Sequence, residues 1–297
     1  MKKILLTGGT GFLGEEILKE FKNRYLIFSI FRKKKGIESK NIKWIKLNLK
    51  NELDFEKNFD LLKKENIDYV IHAGGSTPNR AYEEGNYDAT TMGTRFLVEL
   101  SKKLNIKKII FISSISVTYK KKGPYASSKL IAEDIIKKSG LNYTILRPET
   151  IIGENAKDFR RLANILKEKK FFVIIGAGNN LNQPIYVKDL VNIIHLCIEN
   201  HKTDHKTYSV FGQDCMTTKD FLKKIAELQG NKITLIAIPK FIVYPFSILL
   251  GVVAPRLGIN PERVYIMSYS KGYLKSTEDL KIKTINIEKM LSFLKKD

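Results

Sequence analysis

Short apolar runs alternate with amphipathic helical patterns through the first half of the chain, and this rhythm limits the folds open to it. The runs cover residues 3–7, 26–32, 42–47, 69–73, 109–113 and 142–147. Between them a 3.6-residue pattern predicts helices over 11–21, 54–64, 88–103 and 124–138. Runs of four to seven apolar, β-branched residues read as strands, and helical crossovers between them imply a parallel sheet. Right-handed crossovers place helices on both faces and open a ligand crevice at the carboxyl ends of the strands. The expected class is therefore α/β, a doubly wound parallel sheet.

The first run leads into Thr7-Gly8-Gly9-Thr10-Gly11-Phe12-Leu13-Gly14. Gly9, Gly11 and Gly14 fit G-x-G-x-x-G between a strand and a helix, the context a dinucleotide pyrophosphate requires. A helix starting near Gly11 offers free N–H groups and a positive dipole end to phosphate. Glu15 follows where a Walker loop needs lysine. The second strand ends in Phe31-Arg32-Lys33-Lys34-Lys35, not in the carboxylate that bonds the ribose hydroxyls of NAD. Arg32 suits a 2′-phosphate, so NADP is expected in preference to NAD.

Tyr125 and Lys129 stand at i and i+4 and share a helix face, with Pro124 suited to the first turn. A phenol with a reference pKa near 10 is a poor base at neutral pH; lowering it by about three units requires roughly 4 kcal/mol. An ammonium at about 4 Å supplies energy of that order in a partly shielded site. Ser113, Ser114 and Ser116 follow the apolar strand at its carboxyl end, where a hydroxyl can polarise a substrate oxygen.

Together these residues resemble the extended short-chain dehydrogenase/reductase family, also called the NAD-dependent epimerase/dehydratase family. The resemblance covers nearly the whole chain. It rests on residues 7–14, Val70-Ile71-His72-Ala73-Gly74, Gly93-Thr94, Phe111-Ile112-Ser113-Ser114, Tyr125 through Lys129, Leu146-Arg147-Pro148 and Ile185-Tyr186-Val187-Lys188-Asp189-Leu190. It implies a Rossmann fold over 1–150 and a smaller substrate lobe over 151–297, with about 183–199 packing back on the Rossmann domain. It also implies Tyr125 as acid/base, Lys129 as the group that lowers its pKa and holds the nicotinamide ribose, and Ser114 on the substrate oxygen. Ser114 is chosen because Val117 follows it by three, as in the family. The implied cofactor contacts are Gly8, Gly9, Thr10, Gly11, Phe12, Leu13, Gly14, Arg32, Asn48, Leu49, Ala73, Gly74 and Lys129.

Several positions depart from the family pattern. Asn48 replaces an adenine-contacting Asp, and Thr91 an Asn before Gly-Thr. Thr150 and Asn182 stand where nucleotide-sugar enzymes often carry Asn and Arg. The primary expectation is an oxidoreductase acting on a secondary alcohol or ketone of a small molecule held between the two domains. A nucleotide-sugar epimerase or dehydratase with tightly bound cofactor is the alternative. A non-catalytic cofactor-sensing, RNA- or membrane-binding scaffold is the third, and it has no need of the Tyr125, Lys129 and Ser114 set.

Composition narrows the partners. Net charge is +21, a field that favours anionic ligands, but no nucleic-acid motif accompanies it and no dedicated nucleic-acid binding is expected. Cys197 and Cys215 fit neither a metal motif nor a disulfide framework, so a reducing, cytoplasmic setting is expected. No metal site is expected; His201 and His205 are read as a solvated loop, His72 as structural and Trp44 as a core or sheet residue. The uncharged stretch 241–255 is too short to span a bilayer; it reads as a buried helix, with peripheral membrane contact as the other option. A homodimer through helices such as 88–103 and 124–138 is the family precedent. In the tail, strands are expected over 171–175 and 208–211 and helices over 187–199 and 218–229, the last capped by Thr217 or Thr218.

Overall fold

A computed structural model describes residues 1–75, 88–120, 122–239, 241–243 and 282–296. The six runs of the first half form strands β1 (Lys3–Thr7), β2 (Leu26–Phe31), β3 (Ile42–Lys46), β4 (Tyr69–His72), β5 (Lys108–Ile112) and β6 (Tyr143–Pro148). Helices α1 (Phe12–Phe21), α2 (Glu52–Lys64), α3 (Asp88–Lys103), α4 (Pro124–Lys137) and α5 (Val187–Glu199) accompany them. A tail strand, β7 (Lys206–Val210), completes a seven-stranded sheet in the order β7-β6-β5-β4-β1-β2-β3. The five pairings among β1 to β6 are all parallel.

This order explains the apolar runs. Ile4, Leu5 and Leu6 on β1, Val70 and Ile71 on β4, and Ile109 to Phe111 on β5 are all essentially unexposed, as strands covered by helices on both faces must be. The order reverses between β1 and β4, so the carboxyl ends of those two strands flank the switch point at which such sheets bind ligands.

The chain divides into two units. The first comprises Met1–Val117, Pro124–Pro148 and Val187–Ser209; the second comprises Thr118–Gly123, Glu149–Tyr186 and Val210–Asp297. Within the first unit α5 packs on α1, where His195 meets the Phe21 ring edge-on at 5.6 Å.

The second unit is built from short pairings, which is why its sequence rhythm is loose. Ile151–Ile152 pairs with Ile185–Tyr186, Leu181–Asn182 with Met216–Thr217, and Phe171–Ile175 runs parallel to Thr234–Ile238. Helices Lys157–Glu168 and Thr218–Leu228 pack together, with the Phe159 and Phe221 rings 6.4 Å apart. The Thr217 side chain caps the second helix by accepting the Asp220 N–H at 3.2 Å.

Two tail expectations need correction. The strand read at 208–211 begins two residues earlier and lies at the edge of the main sheet, next to β6. The stretch from 241 was read as buried, yet Phe241 and Ile242 are 78% and 44% exposed. Apolar composition does not by itself supply a covering face. The remainder of that stretch, 244–255, lies outside the described residues. No described helix is long and apolar enough to cross a membrane.

Candidate active site

At the switch point the backbones of two loops meet. Gly8 follows β1 with φ +77°, and a Cβ there would stand 2.7 Å from the Ala73 carbonyl after β4. An L side chain is strained in that conformation and has no room in that gap. Gly14 is needed for a different reason: a Cβ would lie 2.1 Å from the Gly8 carbonyl oxygen, so only glycine lets α1 close on its own loop. The Gly11 N–H bonds to the Gly8 carbonyl at 2.9 Å, and Gly11 caps α1 without a side-chain acceptor. The first turn of α1 thus keeps backbone donors and a positive dipole end for an anion.

A buried polar chain fastens this loop to β4 and α3. Thr94 Oγ1 donates to the Thr90 carbonyl at 2.5 Å, so it accepts from His72 Nε2 at 2.9 Å. His72 Nδ1 is then an acceptor for the Thr7 hydroxyl at 2.7 Å, and Thr7 Oγ1 accepts the Gly74 N–H at 2.8 Å. Burial, with the Lys129 charge adding to it, pushes the His72 pKa down to about 3, so the ring is neutral, as this relay requires. His72, read as structural from the sequence, therefore orients the loop residues Thr7 and Gly74. Leu49 packs against both Gly74 and Gly93, and the Asn48 N–H is held by Asp54 Oδ2 at 2.8 Å. Arg32 lies just past β2 on the exposed surface with Lys33, Lys34 and Lys35. Trp44 lies on β3, its Nε1 donating to the Ile37 carbonyl at 3.1 Å.

Helix α4 carries the acid/base candidates. Pro124 opens it, which suits a residue with fixed φ and no N–H, and half-buried Tyr125 sits in the first turn. Lys129, one turn on, is 5% exposed. Its Nζ donates to the Ile112 carbonyl at 2.8 Å and lies 4.8 Å from the centre of the Phe111 ring. Burial lowers its pKa to about 8, against an opposing pull from Glu133. The ammonium thus reaches the carboxyl end of β5, two residues before half-buried Ser114. Ser114 Oγ accepts from the Ser116 N–H at 3.2 Å and the Ser116 hydroxyl at 3.0 Å, which leaves its own proton to donate.

The sequence reading missed Glu133. It is fully buried, and it accepts from Ser113 Oγ at 2.6 Å, from Arg147 Nε at 2.9 Å and from Arg147 Nη2 at 2.6 Å. Burial pushes its carboxyl up, but the Arg147 and Ser113 bonds outweigh that and hold it below the ordinary glutamate range. The available signal was the continuation of Tyr125 and Lys129 by another four residues.

Outside this region, Cys197 is buried and its thiol is pushed up to about 11 by desolvation. His201 pairs with Asp204 at 3.0 Å on an exposed turn. Among the described residues no group of three or more metal-ligating side chains occurs.

Residues 4–210 match the model of the NAD dependent epimerase/dehydratase family. Over 278 residues the chain is 26% identical to dTDP-D-glucose 4,6-dehydratase of Dictyostelium discoideum, a match covering 77% of this chain and 62% of that one. It therefore spans less than two thirds of that relative's length. It is 24% identical over 291 residues to sterol-4-alpha-carboxylate 3-dehydrogenase, decarboxylating, of Mus musculus, covering 88% and 79% of the two. Among solved structures, UDP-glucuronic acid 4-epimerase from Bacillus cereus in complex with UDP-glucuronic acid and NAD superposes with a TM-score of 0.75 at 19% identity, over 99% of each chain. At that identity the likeness shows the fold.

Proposed function

Because the chain belongs to the NAD-dependent epimerase/dehydratase family, we propose that it is an enzyme of nicotinamide-linked hydride transfer at a small-molecule carbon bearing a hydroxyl or keto oxygen. The observation that carries this reading is the buried Lys129 ammonium, held at the end of β5 one helical turn from Tyr125 and close in sequence to Ser114. A binding module has no use for a desolvated cation beside a phenol and a hydroxyl.

The loop geometry fits a dinucleotide. The Gly8 and Gly14 close approaches leave no room for a side chain, and the uncapped start of α1 suits a pyrophosphate. Gly8, Gly9, Thr10, Gly11, Phe12, Leu13 and Gly14 would hold that group, with Ala73, Gly74, Asn48 and Leu49 lining the neighbouring strand ends. When bound, the dinucleotide supplies the hydride acceptor or donor. Tyr125 exchanges the proton of the substrate oxygen, Lys129 favours its phenolate by charge, and Ser114 donates a hydrogen bond to the same oxygen. Tyr125→Phe tests the assignment. Turnover should fall about 10²–10⁴-fold, the usual worth of a positioned acid/base, with folding intact. Unchanged turnover would sink it.

NADP is assigned ahead of NAD because Arg32 and the exposed lysines after β2 attract a 2′-phosphate. Equal or tighter binding of NAD in a direct titration would reverse that choice. A second reading, a nucleotide-sugar epimerase or dehydratase, is favoured by what several relatives are named for. The two differ in cofactor balance: an oxidoreductase consumes cofactor in step with product, whereas an epimerase or dehydratase regenerates it within each turnover.

A further inference from the structure

We propose that Glu133 is a positioning residue for the acid/base step: its buried carboxylate keeps the Lys129 side chain charged and ties the helix bearing Tyr125 and Lys129 to the ends of β5 and β6. The proposal rests on the catalytic reading of Tyr125 and Lys129, and it deepens that reading.

The geometry is a ladder. Tyr125, Lys129, Glu133 and Lys137 recur every four residues on α4, so each neighbours the next in a row that winds slowly round the helix. Along that row burial changes sharply. Lys137 is a third exposed and Glu133 fully enclosed, and Lys137 Nζ lies 3.3 Å from Glu133 Oε2. The ladder is also tied sideways. Ser113, next to Ser114 on the β5 end, donates to Glu133, and Arg147, on β6, grips both carboxylate oxygens. A bidentate guanidinium bond fixes orientation as well as charge. One carboxylate therefore sets the distance between α4 and two strand ends.

The electrostatic part follows from burial. An ammonium removed from water tends to shed its proton, and a neutral amine cannot favour a phenolate. Lys129 has a backbone carbonyl and a ring face as neighbours, and both stabilise a cation weakly. Among the described residues Glu133 is the charged group that raises its proton affinity. From β4, His72 faces it as a neutral ring and offers no compensating charge. Arg147 and Lys137 act on Glu133 and hold it ionised, which is the state the role requires.

The test is the titration of Lys129 in the intact protein, read by NMR of ¹³Cε-labelled lysine and assigned with Lys129→Arg. In the unaltered chain one lysine should titrate near 8, apart from all the exposed ones. Glu133→Gln should lower that midpoint, weakening proton affinity by about tenfold or more. Lys137→Met should raise it, because Arg147 still holds the carboxylate ionised while a competing cation is removed. If Glu133→Gln fails to fold, the Lys137→Met titration decides alone. An unchanged midpoint in Glu133→Gln, or one that fails to rise in Lys137→Met, overturns the proposal. No substrate enters the measurement, so its failure is distinct from that of the catalytic reading, which Tyr125→Phe turnover tests.

Discussion

Glu133 and Glu149 both present carboxylate oxygens that the fold encloses, yet they titrate in opposite directions. Glu133 receives two bonds from one guanidinium and one from a hydroxyl, and its pKa is lowered. Glu149 is half-buried as a residue, but its Oε2 is sealed from solvent and has no partner among the described residues. Burial raises its pKa, and the Thr150 backbone and hydroxyl and the Gln183 N–H only partly offset the rise. No cation acts on it among the described residues. Gln183 Oε1 is likewise enclosed and without a partner among the described residues. The contrast teaches that enclosure does not decide charge; the supply of fixed cationic donors does. Arg147 supplies them to the helix to which the chemistry is assigned, whereas Glu149 stands without them.

The strongest way to break the contrast is to remove the paired carboxylate. Glu133→Ala leaves Arg147 half-buried without its partner, and breaking such a pair costs about 3–5 kcal/mol. Urea unfolding at pH 7 should show a loss of that size. Glu133 has a lowered folded pKa, so its contribution is present above the ordinary glutamate value of 4.5 and is lost as pH falls through the folded value. The gap between the two proteins should therefore narrow in acid. A gap independent of pH would mean that packing, not charge, holds this corner.

His72 sharpens the comparison from the neutral side. Its folded pKa is about 3 against an ordinary 6.5. Below pH 6.5 the unfolded chain takes up a proton that the folded chain refuses, so stability declines as pH falls from 6.5 towards 3. At pH 5 this single group costs about 2 kcal/mol relative to neutral pH. His72→Gln should flatten the acid limb by that amount while lowering stability at neutral pH through the lost relay to Thr7 and Thr94. If the acid limb is as steep in the variant, the ring is protonated in the folded state and the relay is misassigned.

Much of the first unit was legible because its signals are local. A strand buried on both faces must be apolar throughout, and Ile4 to Leu6 and Ile109 to Ile112 announce that without help from distant residues. Gly8 and Gly14 were legible because a backbone turn demands them. Glu133 was not. A glutamate four residues after a lysine reads as a solvated helix pair, and only Ser113 and Arg147, 20 and 14 residues away, turn it into an enclosed one. Glu149 and Gln183 are separated by still more chain, and their neighbourhood is assembled from two-residue strands that carry no period. Helix Lys157–Glu168 was legible and went unread: Phe159, Ala163 and Leu166 recur at the spacing of one helix face, with Arg160 and Arg161 exposed off that stripe.

The smallest effect is expected at Glu149, and its sign is the point. With a raised folded pKa, the carboxyl costs stability once pH passes the ordinary value of 4.5, because the unfolded chain then ionises more readily than the folded one. Glu149→Gln removes the charge and keeps the shape, so at pH 8 it should gain about 1 kcal/mol, the scale on which an enclosed polar group is penalised when unpaired. Near pH 4 the wild-type carboxyl is mostly protonated in both states and the gain should vanish. Glu133→Ala and Glu149→Gln then move stability in opposite directions at neutral pH, and both differences shrink in acid. A loss at pH 8 in Glu149→Gln would mean that Oε2 does meet a cation or donor in solution, and the contrast between the two glutamates would dissolve.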